Sequence, residues 1–323
     1  MLLLQIAYDP QLRTHSLAPP YLDSDMSSRW WDFGGDTIIR ADQYIRLAAD
    51  RPSQSGWAFS KIPLTATNWE IEFEFSIAGK GNLHGDGFAL WVTKDRASPG
   101  PVFGHKDQFE GLGLFFDTYK NNRPGVVFPY VMAMIGDGKT NYDANNDGKA
   151  NEIGGCSVSK ELRSWRNMLT GIQARGLRGA SVPTKARLTY FQDQSLELKL
   201  QYKSVDSWVD CFKVTKDDGK GPIKLPNTAY LGFSAHTGEL SDNFDIVSVD
   251  TKNLYNAVAT NRGPQGGPAS RGGQSSFKGS KKQSSGGWGW FFFKVILFFG
   301  VLGGGYVGYT AYRTKQRREY RGF

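Results

Sequence analysis

Oxygen-bearing side chains follow one apolar run of the chain and recur in a loop further along. Asp117, Tyr119 and Asn121 stand at alternate positions directly after that run, and the segment 143–148 is rich in Asp and Asn. A hard cation such as Ca²⁺ takes several oxygen ligands from carboxylates, amides and backbone carbonyls. The spacing therefore predicts a calcium site with side-chain oxygens from Asp117, Asn121 and Asp147. Tyr119 would add its backbone carbonyl.

Spacing alone leaves other interpretations of these residues. Polar side chains also collect at strand ends for reasons of turn chemistry, so an ordinary strand end is the alternative to calcium. The segment 143–148 further resembles the first half of an EF-hand loop. An EF-hand would need its closing Glu where the chain has Gly154, together with flanking helices for which no helical pattern is evident. We therefore reject the EF-hand version of the site.

A second group of residues suits a ligand rich in hydroxyl groups. Asp86 lies in a Gly-Asp-Gly turn at the head of a strand pattern, where a carboxylate can accept two hydrogen bonds from a sugar. Gly238, in the loop 237–243, would let a ligand approach backbone N–H groups. Ordinary turn and loop chemistry is the alternative for both positions.

Enzymatic chemistry has weaker support in the sequence. Glu70, Glu72 and Glu74 alternate along one strand, as catalytic carboxylates do in some sandwich glycosidases, but a solvated strand face is the better explanation. None of the four histidines falls in the spacing of a metal site or a catalytic triad. The residues thus favour a binding protein over an enzyme.

The elements that must position these residues are β-strands. Residues 69–77 alternate strictly, with Ile71, Phe73 and Phe75 directed to a core and glutamates directed outward. An aromatic content of 14% together with 39 glycines suits many strands joined by tight turns. Further strand patterns span 30–35, 85–92, 126–135, 186–202 (a hairpin), 230–235 and 244–250. The sequence therefore predicts an all-β fold, an antiparallel sandwich or jelly roll.

The segment 157–173 interrupts the strand pattern. It is basic and shows no alternation, which predicts a surface loop or a short amphipathic helix. A retained intron is a second hypothesis, because codons for its first and last residues can match splice-site sequences. Transcript sequencing that finds this segment in every mature message would eliminate the intron.

The C-terminal part of the chain predicts a membrane anchor. Residues 256–287 are rich in Gly, Ser, Gln and Pro, which indicates a flexible linker. Residues 288–312 are apolar over a length sufficient for one transmembrane helix, with Trp and Tyr near the two ends. The basic tail 313–323 would lie in the cytosol and the large domain in the lumen. Because the net charge of +8 comes mostly from this end, nucleic-acid binding is not expected.

The cysteines and the N-terminus bear on the compartment. Cys156 and Cys211 would form a disulfide or remain as two buried thiols, and a lumenal location favours the disulfide. Residues 1–13 match a signal peptide poorly, because their apolar stretch is short and lacks a basic region before it. We expect these residues to be a truncated or wrongly placed signal region.

Six motifs occur in order between residues 14 and 255. They are WWDFGG (30–35), GDGFALW (85–91), GPVFG (100–104), GLFFDTY (113–119), GGC (154–156) and TGELSDN (237–243). Together they resemble the L-type (legume-type) lectin cargo receptors of the early secretory pathway, and among these the fungal members related to the vesicular integral membrane lectins. Only the segment 157–173 has no counterpart in this resemblance.

The resemblance implies a fold and a function. The expected fold is a legume-lectin jelly roll of two antiparallel sheets over residues 14–255, followed by one C-terminal transmembrane helix. The expected function is calcium-dependent binding of high-mannose N-glycans on glycoprotein cargo between the endoplasmic reticulum and the Golgi. The protein would be a single-pass type I membrane protein of these compartments and their intermediate, and vesicle coat proteins would meet its cytosolic tail.

The resemblance also assigns residues to roles. The calcium ligands would be Asp117, Tyr119 (through its carbonyl), Asn121 and Asp147; the mannose contacts would be Asp86, Asn121, Gly238, Glu239 and Leu240; the disulfide would be Cys156–Cys211. Because Asn121 would serve both ligands, calcium would fix the amide that the sugar contacts.

The chain departs from the family at two positions. Animal members have a sugar-binding histidine where this chain has Ala144, and a sugar-contacting serine aligned near Trp57. The absent histidine predicts weaker sugar binding with less pH dependence, which His236, beside the sugar loop, would partly restore. Two alternatives remain at this point: a membrane-tethered glycosidase on the same sandwich, or a calcium-stabilised cargo scaffold that no longer binds sugar.

Overall fold

Strands make up most of the regular structure in the computed structural model, which describes residues 11–81, 84–158, 176–219 and 223–254. In these ranges the strands are β1 (Trp31–Gly35), β2 (Ile38–Arg40), β3 (Tyr44–Ala48), β4 (Ser55–Ser60), β5 (Asn68–Ala78), β6 (Gly87–Thr93), β7 (Glu110–Asp117), β8 (Tyr130–Asp137), β9 (Gly154–Ser157), β10 (Thr184–Phe191), β11 (Ser195–Gln201), β12 (Val209–Thr215), β13 (Tyr230–His236) and β14 (Asn243–Asn253). Two short 3₁₀ turns accompany them, Arg13–His15 and Ala144–Asn146.

The described strands form two antiparallel sheets of seven strands each. The front sheet has the order β1-β4-β13-β6-β7-β8-β9, and the back sheet has the order β12-β11-β10-β5-β14-β3-β2. Strands from the end of the chain thus insert between strands from its beginning, β13 between β4 and β6 and β14 between β5 and β3. The predicted two-sheet antiparallel fold is confirmed.

Strand β5 shows why the two sheets pack together. Its alternate side chains from Ile71 to Ile77 are at most 2% exposed. Phe73 contacts both Phe116 and Phe233 of the front sheet, at ring-centroid distances of 5.8 and 5.2 Å. Burying each such ring stabilises the fold by about 1.5–3 kcal/mol relative to leaving it exposed. The alternation predicted for this segment is confirmed.

The front sheet is buried on both faces. Along β6, Phe88 and Leu90 belong to the core between the sheets, whereas Trp91 belongs to a second apolar cluster on the opposite face. That cluster includes Phe103 and Phe115, whose rings stack at 5.2 Å. A strand buried on both faces needs a continuous apolar sequence, which β6 has. The second cluster provides the apolar layer on which the loops of the candidate site rest.

His105 is buried inside this second cluster. Its ring centroid lies 4.5 Å from that of Trp91 and 5.4 Å from that of Phe59. Its Nε2 atom is buried and has no hydrogen-bond partner within the described part of the chain. Burial lowers the pKa of His105 to about 4. The protein is therefore built around a neutral imidazole at this position.

The predicted hairpin is confirmed. β10 and β11 pair from Lys185↔Gln201 to Phe191↔Ser195. Asp193 adopts a left-handed backbone with φ of 55° in the connecting turn, a conformation that Asp tolerates better than most residues.

The predicted disulfide is also present. Cys156 of β9 and Cys211 of β12 are bonded, with 5.2 Å between their Cα atoms. Because β9 and β12 are the edge strands of the front and back sheets, this bond closes one side of the sandwich.

Several predictions fall at the margins of the described residues. Leu12 donates its backbone N–H to Thr251 O, so residues assigned to the signal region pair with β14. Likewise β9 includes Ser157 and Val158 is buried, while the rest of the segment 157–173 lies outside the described residues. The chain divides into the units Met1–Asn261 and Arg262–Phe323. The second unit, which holds the predicted span 288–312 and the predicted tail 313–323, also lies outside the described residues. Among the residues that the structure describes, no helix has the length and apolar character needed to cross a membrane.

Candidate functional site

Three strand ends meet at one end of the front sheet. Gly87, which begins β6, lies opposite both Asp117 at the end of β7 and His236 at the end of β13. The loops attached to these ends are therefore adjacent, and together with the segments 101–103 and 142–145 they line a cavity of about 250 Å³. The cavity is lined by Asp86, Pro101, Val102, Phe103, Asp117, Tyr119, Asn121, Tyr142, Ala144, Asn145 and His236.

Asp117 places a buried carboxylate at this cavity. The residue is 6% exposed, and Oδ1 accepts the backbone N–H of Tyr119 at 3.0 Å. Burial, followed by the charge of Asp147, raises the pKa of Asp117 well above its ordinary value. Two carboxylates held close together away from water destabilise each other. A cation bound by both would remove this penalty.

Asp147 is the second buried carboxylate, at 2% exposure. The backbone N–H of Asn121 donates to both of its oxygens at 3.1 Å, and the Asn121 side-chain amide donates to Oδ1 at 2.6 Å. Asp147 itself has φ of 51°, which ends the 3₁₀ turn and directs the chain into Gly148. The two loops predicted to form the calcium site are thus in direct contact.

The available donors suit calcium chemistry. They are the carboxylates of Asp117 and Asp147, the side-chain oxygen of Asn121 and nearby backbone carbonyls, all of them oxygen donors. Across the described ranges no three His, Cys, Asp or Glu side chains group as a metal site, so a cation here would also need neutral oxygens. Ca²⁺ accepts such a mixture, whereas Zn²⁺ and other transition metals prefer nitrogen and sulfur.

The carboxylate of Asp86 is the candidate group for sugar hydroxyls. Its backbone is held on two sides: its carbonyl accepts Thr118 N–H at 2.9 Å and its N–H donates to His236 O at 3.3 Å. The peptide bond between Gly85 and Asp86 is cis. Oδ2 of Asp86 lies 2.9 Å from Nδ1 of His236, and the side chain is 40% exposed. The carboxylate is thus oriented by the protein while remaining open to a ligand.

Glycine allows the loops to approach each other around Asp86. A Cβ on Gly238 would lie 3.3 Å from both carboxylate oxygens of Asp86, closer than side chains ordinarily pack. A Cβ on Gly85 would lie 3.1 Å from Cβ of Tyr119 and 3.6 Å from Cβ of Leu240. The structure therefore brings the predicted calcium loop and the predicted sugar loop to the same point, with Glu239 exposed beside them.

The sugar loop is anchored at both ends. At its start, Oγ1 of Thr237 donates to Arg51 O at 2.7 Å, and Gly238 O accepts Ser53 N–H at 2.9 Å. At its end, the carboxylate of Asp242 is fully buried and accepts Nε of Arg178 at 2.9 and 3.0 Å. These bonds hold the backbone of the loop 237–243 in position, and none of them involves Glu239 or Leu240 at its tip.

Two residues of this region were not identified from the sequence. Tyr142 lines the cavity, and burial raises its pKa. Arg123 has a side chain only 8% exposed, and it contacts both Asp147 and Glu152. Neither shows a sequence signal beyond its residue type, because burial of both depends on packing between distant loops.

Of the two positions at which the chain departs from the family, one lines the cavity and the other does not. Ala144 lines the cavity, so its small side chain widens the site at that point. Trp57 does not line it; a Cβ on Gly34 would overlap the Trp57 ring, so this ring covers Gly34 of the neighbouring strand β1.

The three glutamates considered for catalysis lie elsewhere. Glu72 accepts two hydrogen bonds from Arg187, at 3.0 and 2.7 Å, and Glu70 lies 3.7 Å from Nζ of Lys252. With Glu74 they occupy the partly exposed face of β5, opposite the core-facing residues, and do not line the cavity. This arrangement is the solvated strand face that the sequence favoured.

Comparison with known proteins agrees with this geometry. A model of the legume-like lectin family matches residues 9–261. An L-type lectin-like domain-containing protein of Schizosaccharomyces pombe is 37% identical over 251 residues, which cover 77% of this chain and 73% of that protein. The vesicular integral-membrane protein VIP36 of Canis lupus familiaris is 40% identical over 241 residues, covering 73% of this chain and 61% of that protein. The chain thus spans less than two thirds of the length of VIP36.

Solved structures give the same relationship. The VIP36 exoplasmic/lumenal domain in its Ca²⁺/Man2-bound form has a TM-score of 0.65 and 35% identity, covering 76% of this chain and 90% of that one. Its metal-free form has the same TM-score at 36% identity, covering 76% of this chain and 94% of that one. These relatives are lectins rather than enzymes, in agreement with the sequence prediction. With the family model extending over the whole two-sheet domain, the chain belongs to the legume-like lectin family.

Proposed function

We propose that this chain is a calcium-dependent lectin that binds high-mannose N-glycans on glycoprotein cargo. The observation that carries the proposal is that the predicted calcium residues Asp117 and Asn121 line the same cavity as the predicted sugar residue Asp86. Calcium would be held by Asp117, Tyr119 O, Asn121 and Asp147. Its role would be to neutralise the buried carboxylates and fix the Asn121 amide for the sugar. The Ca²⁺/Man2-bound form of the VIP36 domain supports this assignment.

The sugar would bind at the open side of the cavity. Asp86 would accept hydrogen bonds from two hydroxyl groups, since its carboxylate is oriented and 40% exposed. The backbone N–H groups of 238–240 would donate to further sugar oxygens, because Gly238 holds that backbone close to Asp86.

We place the lectin domain in the lumen of the endoplasmic reticulum and Golgi. The apolar segment 288–312 would anchor it, and the tail 313–323 would contact vesicle coat proteins. The name of the VIP36 relative, a vesicular integral-membrane protein, supports this placement. The disulfide Cys156–Cys211 is also typical of a lumenal protein.

The test is calorimetric titration of the full-length chain in detergent micelles with a high-mannose oligosaccharide. Titrations are run with Ca²⁺ and with a chelator, and a galactose-terminated oligosaccharide serves as the control sugar. We expect binding of the high-mannose sugar only with Ca²⁺. Calcium binding without sugar binding would favour the cargo scaffold instead, and absence of both would contradict the calcium site itself.

A further inference from the structure

A buried arginine joins the two loops of the proposed calcium site. The guanidinium of Arg123 donates to Glu152 at 2.6 Å and to the hydroxyl of Tyr130 at 3.2 Å. It also lies 4.3 Å from the centroid of the Tyr130 ring. Its Nη1 donates to the backbone carbonyl of Asp147 at 3.2 Å, and its backbone N–H donates to Oδ2 of Asp147 at 3.2 Å.

These contacts link three separate segments of the chain. Arg123 follows Asn121 in the loop after β7, Asp147 belongs to the second calcium loop, and Glu152 precedes β9. Tyr130 starts β8 and fixes the guanidinium from the front sheet. The side chain of Arg123 is 8% exposed and that of Glu152 is 17% exposed, so water competes little for these bonds. The loops are therefore joined by the protein itself.

The charge of Arg123 decides between two possible effects on calcium. A lone buried cation near a calcium site would repel the ion and weaken binding. Here Glu152 lies 2.6 Å from the guanidinium and balances its charge. The remaining effect is conformational: loops already ordered before the ion arrives lose less entropy when it binds.

We propose that Arg123 is a positioning residue of the calcium site, which with Glu152 holds the loops 119–123 and 143–148 in the metal-binding arrangement before calcium binds. This inference rests on the proposed function, because it assigns a role within the same calcium site. It adds a cation–carboxylate pair, Arg123 and Glu152, whose members are not among the proposed calcium ligands. The pair raises calcium affinity by keeping Asp147 and Asn121 together.

The decisive variant is R123M/E152Q in the full-length chain, since it removes the link without changing net charge. Calcium affinity is measured by calorimetry on chelator-treated protein. We expect affinity to fall by about tenfold or more, as is typical when groups supporting metal ligands are lost. The matched control is R187M/E72Q, which removes an Arg–Glu pair of 2.7 Å on the back sheet and should leave calcium affinity unchanged. Calcium affinity within about twofold of wild type in R123M/E152Q would overturn the proposal.

Hydrogen exchange of the metal-free protein gives a second readout. The backbone N–H groups of Asn121 and Arg123 donate to Asp147 and should be protected in wild type without calcium. In R123M/E152Q they should exchange about tenfold faster, while amides of β5 keep their wild-type protection and show that the fold is intact. Unchanged exchange of these two amides would refute the loop-holding role.

R123K serves if the double variant does not fold. R123K keeps the positive charge but loses the planar guanidinium and its several donors. Calcium affinity should therefore fall, and the amides of Asn121 and Arg123 should exchange faster, but both changes should be smaller than those expected when the link is lost completely. Wild-type values for both would overturn the proposal. If wild type itself binds no calcium, the proposed function fails, whereas the exchange experiment still decides whether Arg123 holds the loops.

Discussion

Replacing Asp117 by Asn separates two effects of the proposed calcium site on stability: the destabilisation of the metal-free protein by buried charge, and the stabilisation by bound calcium. Asp117 is buried, has a raised pKa and is repelled by the charge of Asp147. The substitution removes one of these charges while keeping the shape of the side chain. We expect the metal-free variant to be more stable than metal-free wild type, and calcium to stabilise it no longer.

The magnitudes follow from burial and mass action. Burying an ionised carboxylate costs several kcal/mol, which one hydrogen bond from Tyr119 N–H offsets in part. We therefore expect the metal-free variant to gain about 1–3 kcal/mol in unfolding free energy. A ligand present at about 100 times its Kd stabilises a protein by about 2.7 kcal/mol. For a domain of this size, that term raises the Tm of wild type by roughly 5–10 °C on addition of saturating calcium, a rise that the variant should lack.

The assay is thermal unfolding of the full-length chain in micelles, followed by near-UV circular dichroism with chelator and with saturating Ca²⁺. D217N provides the control, because Asp217 is an exposed carboxylate outside the site. It should match wild type in both conditions. A D117N variant that is less stable than wild type without calcium, and that still gains stability on calcium addition, would refute the reasoning about paired buried charges.

Three further predictions concern neighbouring groups. D86N should retain calcium binding but lose most affinity for the high-mannose sugar in calorimetry. The reason is that the amide places an NH₂ donor where the carboxylate has an oxygen that accepts a hydrogen bond from a sugar hydroxyl. An equally large loss of calcium affinity would contradict the assignment of Asp86 to the sugar alone. H105F should lose less unfolding free energy in acid than wild type does, as measured by urea unfolding. Because His105 is neutral in the folded protein, wild type loses roughly 3 kcal/mol of unfolding free energy as the pH falls from about 6.5 to about 4. H236Q should lower the affinity for the high-mannose sugar, since the imidazole lies 2.9 Å from Oδ2 of Asp86 and orients that carboxylate; unchanged affinity would show that His236 does not orient Asp86.

Local patterns predicted much of the sandwich. The alternation along β5 and the turn between β10 and β11 are encoded by neighbouring residues, and both are confirmed. The order of strands in each sheet has no such local signature. The insertion of β13 between β4 and β6 depends on pairing between residues more than 100 positions apart, such as Ala235↔Gly56. The resemblance to a family predicted a jelly roll of two antiparallel sheets, and the strand order within each sheet comes from the structure.

The site divides in the same way. Asp117 and Asn121 were predicted because carboxylate and amide stand at alternate positions of one short segment. Arg123 was not, because as a lone basic residue in a polar loop it is expected to be solvated. Its burial results from Tyr130 and Glu152, which reach it from two other segments. Side chains whose role depends on several distant segments leave no periodic trace in a sequence.

The alignment of Asp117, Gly87 and His236 across three strands has a consequence for how this protein can vary. Inserting one residue into β6 would either displace Asp86 from the calcium loop by about 3.4 Å or turn the side chains after the insertion to the opposite face of the sheet. Insertions in loops that carry no residue of the proposed site have no such effect. We therefore expect the chain to tolerate insertions in those loops but not in β6.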